Sequence, residues 1–182
     1  MTTKGAYFDM SVTPYFMSTA RLGFRRWRED DLDLALGLWG DPEVARFFDA
    51  RRVLSREDVA ERLSDEMAAQ AEYGVQYWPV FLLAGGSHVG ACGLRPYDPD
   101  AGVLELGVHI RSAHWGHGYA TEAARAVIRH AFVCLGVKGL FAGHHPENEA
   151  SQFLLGKLGF RHTHDEFYPP TGVTHPSYLL QG

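Results

Sequence analysis

Cysteine is scarce: Cys92 and Cys134 are the only two in 182 residues. They are spaced neither as metal ligands nor as a redox pair, which sets aside a disulfide framework and a cysteine-built metal centre. Both lie in apolar surroundings, the setting expected of buried free thiols in a reducing cytoplasm. No apolar run approaches the roughly 18 residues of a membrane span, and the N-terminus lacks a cleavable signal pattern, so no membrane partner is expected. Positive charge is short too. With 17 Lys and Arg against 22 Asp and Glu the formal net charge is −5, and no basic cluster offsets it, so a nucleic-acid partner is not expected. Internal repeats, low-complexity tracts and a G-x-x-x-x-G-K-S/T loop are missing as well. What is there, 46% apolar and 21% charged residues, is ordinary for one globular domain long enough to bury a core.

The stretch around which the rest is organised runs from Val103 to Thr121. Val103-Leu104-Glu105-Leu106-Gly107-Val108-His109-Ile110 reads as a strand, and it gives way to Arg111-Ser112-Ala113-His114-Trp115-Gly116-His117-Gly118-Tyr119-Ala120-Thr121, a loop with two glycines opening into a helix. From Ala120 the apolar residues Ala123, Ala124, Val127, Ile128, Ala131, Phe132 and Leu135 follow one helical face, and Gly136 ends it. A helix start offers unpaired N–H groups and a partial positive charge. Gly116 and Gly118 let backbone come close to a ligand, and Thr121 adds a hydroxyl, so the segment has the outline of a phosphate cradle. A tight turn with no ligand fits the two glycines equally well.

Elsewhere, Leu22 to Trp27 alternates as a first strand. Asp30 or Asp31 caps a helix with Leu32, Ala35, Leu36 and Trp39 inward, stopped at Gly40. Asp41-Pro42 starts a short helix. Ser55-Arg56-Glu57-Asp58 is a capping box for a helix to about Glu72 with Val59, Leu63, Met67 and Ala68 inward, closed by Gly74. Tyr77–Leu83 and His88–Leu94 form a hairpin about Gly85-Gly86-Ser87, and a second turn at 97–102 joins the strand at 103–110 to the same antiparallel meander. Gly139 to His144 is a further strand. Asn148 caps a helix with Phe153, Leu154 and Leu158 inward and Gly159 as its stop. Phe160–Phe167 and Val173–Leu180 make a last hairpin. The apolar segment 1–18, with Tyr7, Phe8, Met10, Tyr15, Phe16 and Met17, is expected to pack on the domain body or on a partner chain, which leaves a homodimer open.

A dinucleotide-binding reading of Gly116-His117-Gly118 wants a third glycine where Thr121 stands, and a parallel βαβ unit where hairpins stand. His162, His164 and Asp165 with His144 and His145 suggest metal ligands only weakly, since strand alternation puts 144 and 145 on opposite faces. No metal is expected.

His114-Trp115-Gly116-His117-Gly118-Tyr119-Ala120-Thr121-Glu122-Ala123 resembles the acyl-CoA pyrophosphate loop of the GNAT superfamily of N-acetyltransferases, in its RimJ/RimL-like branch. Ala113 replaces that loop's leading Gln or Arg, which removes a side-chain contact but not the backbone cradle. Thr19-Ala20-Arg21-Leu22, Asp41-Pro42-Glu43-Val44, Asn148-Glu149-Ala150-Ser151 and Lys157-Leu158-Gly159-Phe160 fall in that family's order, over roughly residues 19–180. The resemblance implies an α/β (α+β) fold: a mixed, mostly antiparallel twisted sheet of about six or seven strands with helices on both faces. It implies a GNAT acetyltransferase domain over 19–182, with 1–18 as an extension.

It also implies acetyl-CoA as acyl donor and a primary amine as acceptor, either a protein N-terminus or a small molecule, acetylated by direct attack in a ternary complex. Gly116, His117, Gly118, Tyr119, Ala120 and Thr121 would hold the diphosphate. Backbone at Val108, His109 and Ile110 would hold the pantetheine where the strand splays from 139–144, and Asn148 and Ser151 would line the same site. Many relatives place a tyrosine acid where Leu155 stands here, so Ser151 is the candidate acid, although its hydroxyl equally suits local helix bonding. Glu105, sharing a strand face with Gly107 and His109, is the first candidate base, with His145, Asp165 and Glu166 behind it. At pH 7, freeing an α-amine costs about 1 kcal/mol against about 4.6 for lysine, which favours an acidic amine for a weak base. A non-catalytic acyl-CoA-binding or sensing module uses the same cradle without turnover.

Overall fold

Hairpins laid side by side build most of a single sheet, and one parallel pairing breaks their pattern. The computed structural model describes residues 14–182. The strands are β1 (Met17–Ser18), β2 (Leu22–Phe24), β3 (Tyr77–Leu82), β4 (His88–Asp98), β5 (Val103–Ile110), β6 (Gly139–Gly143), β7 (Arg161–Tyr168) and β8 (Val173–Gln181). They form one eight-stranded sheet in the order β1-β2-β3-β4-β5-β6-β8-β7. Every neighbouring pair is antiparallel except β5 and β6. The sheet therefore exceeds the expected six or seven strands, because the 14–18 segment adds an edge strand. Tyr7, Phe8 and Met10 lie outside the described residues. Phe16 meets the Trp78 ring edge-on at 5.2 Å, so this end of the segment packs on the domain body.

The first strand stops at Phe24 rather than Trp27. Its ladder would next pair Arg25 with Pro79, which has no N–H to return. Trp27 instead turns inward and donates its indole N–H to Tyr77 O at 2.7 Å.

Helices cover both faces. On one, α1 (Leu32–Trp39), α2 (Pro42–Ala45) and α3 (Arg56–Tyr73) bury Ala35, Leu38, Trp39, Val44, Val59 and Leu63 against Tyr77 and Ala91. On the other, α4 (Tyr119–Arg129) and α5 (Glu149–Leu158) bury Ala123, Ala124, Val127 and Leu155 against Trp78, Cys92 and Leu94. Tyr77 and Trp78, adjacent in β3, serve opposite cores, as strand alternation requires. No helix among the described residues is long and apolar enough to cross a membrane.

The caps fall where local chemistry puts them. Ser55 and Asp58 form the capping box of α3, and Asp41 accepts from Glu43 N–H at the start of α2. Gly74, Gly136 and Gly159 close their helices with φ of 74°, 65° and 89°. Some inward assignments fail. In α1 the expected Leu32 and Leu36 pack on the core only partly buried, and Leu38, which was not expected, is fully buried. Ala68 is exposed while Glu66 is fully buried. After Arg129 the helix widens into a π turn, His130–Leu135, which rotates the following side chains and leaves Leu135 and Cys134 exposed. Cys92 is a buried free thiol as expected; Cys134 is not.

Candidate active site

The parallel contact between β5 and β6 is short. Val103, Leu104 and Glu105 pair with Gly139, Leu140 and Phe141, and beyond Glu105 the two strands part. Antiparallel ladders alternate the direction of successive peptide groups, and Arg111 N–H bonds to Val89 O at 2.9 Å. Residues 105, 107 and 109 thus spend their peptide groups on β4, whereas 106, 108 and 110 aim theirs at β6. Of the three residues expected to present backbone to the gap, Val108 and Ile110 do so and His109 does not. The Ile110 carbonyl accepts the Trp115 indole N–H at 2.8 Å, which leaves the Val108 peptide and the Ile110 N–H facing the opening.

At the end of this gap lies the glycine loop. Gly116 and Gly118 have φ of 78° and 77°, a left-handed conformation that a side chain resists. Gly118 is the N-cap of α4, and the first intrahelical bond runs from Glu122 N–H to Gly118 O at 3.2 Å. The N–H groups of Tyr119, Ala120 and Thr121 therefore precede the helical ladder and are free to bind an anion. A Cβ at Gly116 would meet nothing within 4 Å, so the cradle is open. The loop is held from behind. Glu122 accepts from Arg21 Nε at 2.6 Å, Arg21 N–H at 3.0 Å and the Thr19 hydroxyl at 2.5 Å, while Arg21 also reaches His117 O at 3.1 Å. That bracing is the physical content of the Thr19-Ala20-Arg21-Leu22 motif. His117 supports the loop through its own ring, with Nδ1 on Trp115 O at 2.8 Å and the ring stacked on Tyr119.

The loop and the gap open into a single cleft of about 970 Å³, lined by Gly116, Gly118, Tyr119, Ala120, Thr121, Val108, Ile110, Asn148 and Ser151, and by Glu105 and His109 deeper in. Asn148 caps α5 by accepting Ser151 N–H at 3.1 Å. The Ser151 hydroxyl, on the cleft wall, has no hydrogen-bond partner among the described residues. Phe153, expected to face the core, stands exposed at the cleft mouth.

Side chains of Glu105, Gly107 and His109 share one strand face, as alternation demands, and all three meet Tyr77. A Cβ on Gly107 would lie 2.1 Å from Tyr77 Cζ, so this glycine marks the close approach of a ring, and the β4 register runs through it unbroken. Burial holds the Glu105 carboxyl above its ordinary range, opposed by the nearby Arg95 charge and a hydrogen bond from Tyr77. Desolvation holds the half-buried His109 well below its ordinary range and therefore neutral. Its Nδ1 accepts the Trp39 indole N–H at 3.0 Å, and its ring stacks on Phe48. Of the reserve bases, His145 and Glu166 line the cleft. Asp165 is absent from the lining and pairs with His162 at 2.7 Å. The same wall holds residues that hydrophobic periodicity passed over: Arg62, Tyr77 and Arg95, with Glu66 fully buried behind them.

An open helix start leading along a split in the sheet to a half-buried carboxyl defines an acyltransferase that draws on an acyl-CoA thioester. The chain belongs to the GNAT acetyltransferase family: a profile of the Acetyltransferase (GNAT) domain matches residues 21–161. It is 28% identical over 146 residues to the uncharacterized N-acetyltransferase p20 of Bacillus licheniformis, covering 79% of this chain and 80% of that one. An acetyltransferase of the GNAT family from Bacillus anthracis superposes with a TM-score of 0.77 at 21% identity, over 91% of this chain and 97% of that one. RimL, a ribosomal L7/L12 alpha-N-protein acetyltransferase in complex with coenzyme A, superposes with a TM-score of 0.76 at 13% identity, over 90% and 95%. The cofactor is acetyl-CoA, which supplies an acetyl group activated as a thioester. The open left-handed glycines, the free N–H groups at the start of α4 and the unpaired edge of β5 fit its diphosphate and its amide-bearing arm.

Proposed function

We propose that this protein acetylates a primary amine by direct attack within a ternary complex. The observation that carries this reading is the parting of β5 from β6 beyond Glu105, which joins the cradle to the polar pocket in one continuous cleft. Tyr119, Ala120 and Thr121 N–H groups bind the diphosphate, and the Val108 and Ile110 backbone holds the arm and polarises the thioester carbonyl. Glu105 takes a proton from the amine as nitrogen bonds to the acetyl carbon and the carbon–sulfur bond breaks. The Ser151 hydroxyl, positioned by Asn148, donates a hydrogen bond to the departing sulfur and relays a proton to it from solvent, so the serine ends the step as a hydroxyl. A thiol of pKa about 8.5 asks little of that acid.

Thiol release from acetyl-CoA, measured across panels of peptide N-termini, polyamines and amino acids, tests the reading. Acceptor-dependent release is expected. Tight coenzyme A binding with no acceptor-dependent thiol would instead establish a sensing module.

A further inference from the structure

The cleft wall built by α3 contains a cation with no counter-ion. Arg62 is half-buried, and its Nε is buried without a hydrogen-bond partner. Its guanidinium lies 4.6 Å from the centre of the Trp39 ring and 4.7 Å from that of Phe48, held by two aromatic faces. Of the other half-buried arginines, Arg25 pairs with Asp31 and Arg95 with Glu66; Arg111 also lacks an ion pair among the described residues but does not line the cleft. Glu66 sits one turn along α3 from Arg62 and is already committed, with one oxygen on Arg95 and the other accepting Tyr77 N–H at 2.7 Å. Glu105 meets the Tyr77 hydroxyl and makes no ion pair with Arg62 among the described residues.

A guanidinium with a buried, unpaired Nε–H and no carboxylate partner is costly, and here the cost falls beside an open cleft that Arg62 helps to line. Its planar donor fork matches a carboxylate edge. One unpaired positive charge flanked by Glu66 and Glu105 suits a monoanion; a dianionic phosphate would add repulsion from both.

We infer that the amine acceptor also carries a carboxylate, which Arg62 binds while the amine meets Glu105. The acceptor is thus a small amino carboxylate. This rests on the acetyl-transfer reading for its amine half, whereas the carboxylate half rests on Arg62 alone.

The test uses amino acids and their carboxamides in pairs, with Arg62→Met and Arg62→Lys variants. The wild-type protein is expected to use the acid with at least tenfold higher kcat/KM than the matched amide. Arg62→Met should erase that preference through a raised KM for the acid while coenzyme A affinity stays within about twofold, and Arg62→Lys should keep part of it. A second arm needs no turnover: calorimetry on the coenzyme A-loaded protein, titrated with N-acetyl amino acids and N-acetyl amino acid amides, should show tighter binding of the acids. Equal use and equal binding of acid and amide, or a preference that survives Arg62→Met, would overturn the inference. Tighter acid binding with no acetylation of any amine would leave the carboxylate site standing and remove the acetyl-transfer reading. Should Arg62→Met fail to fold, the wild-type comparison of acid with amide decides.

Discussion

Glu105 reaches its position through strand alternation and acquires its chemistry from its neighbours. Burial lifts its pKa, so the carboxyl carries its proton to a higher pH than an exposed glutamate does. A base works only when deprotonated. Turnover should therefore rise with pH through this raised pKa, and Glu105→Gln should remove that limb of the kcat profile together with roughly 10²-fold in kcat. An unchanged acid limb in the variant would strip Glu105 of the proposed role. Ser151 offers a contrast, because its N–H is spent on the Asn148 cap while its hydroxyl is left over. Ser151→Ala should lower kcat by about tenfold and leave the cap intact, so stopped-flow turnover should fall further than coenzyme A affinity. Glu105 and Ser151 were legible because a strand period and a cap position each fix where one side chain points. Arg62 was not. A lone arginine between apolar positions on a helix reads as solvated until Trp39 and Phe48, distant in sequence, close over it.

Each turn and cap visible in the sequence states a purely local requirement: a left-handed glycine after α3, α4 and α5, or a Ser-Asp box before α3. Such requirements survive folding because no tertiary contact is needed to meet them. Helical faces are different, since the partner decides how wide the buried stripe becomes. α3 turns Glu66 inward because Arg95 and Tyr77 N–H receive it, and the π turn after α4 shifts Leu135 out of a stripe that a straight helix would continue. The splitting of β5 from β6 could not be read from composition at all; the family resemblance alone implied it. Gly107→Ala tests what crowding at the Tyr77 ring does. The new methyl would overlap the Tyr77 ring, so Tyr77 must swing away, breaking its contacts with Glu105 and His109. Overpacking of this kind costs about 1–3 kcal/mol. Urea unfolding should show that loss, and kcat should fall further than coenzyme A affinity, because the diphosphate cradle is built on a different segment from the β5 backbone beside Gly107. The cradle's own test is Gly118→Ala, where φ of 77° imposes about 1–2 kcal/mol on an alanine. Coenzyme A affinity measured by calorimetry should drop by roughly tenfold, with acceptor preference unchanged.

The domain as a whole is one sheet in two unequal parts, β1 to β5 and β6 with β8 and β7, stitched by the short parallel ladder and sandwiched by helices. Stability therefore depends on cores away from the cleft, and one of these carries a group sensitive to acid. His88, at the start of β4, is 5% exposed, with Trp27 and Phe81 against its ring. Neither ring nitrogen reaches hydrogen-bond geometry, the nearby Gly90 peptide included. Burial first, then the Arg111 charge, brings its pKa down to about 4; Arg25 adds to the fall and Asp31 opposes it. The unfolded chain binds this proton at its ordinary pKa near 6.5, before the folded chain does, so His88 costs nothing above pH 6.5 and destabilises the fold progressively as pH falls from there toward 4. Between pH 7 and pH 5 the loss from this one group is about 2 kcal/mol. His88→Leu removes the titration and the two unpartnered nitrogens while filling similar space. Urea unfolding at both pH values should then show a difference between pH 7 and pH 5 that is smaller by that amount in the variant, with no loss at pH 7. Parallel pH dependence in the two proteins would show that His88 is protonated in the folded state and that acid sensitivity arises elsewhere.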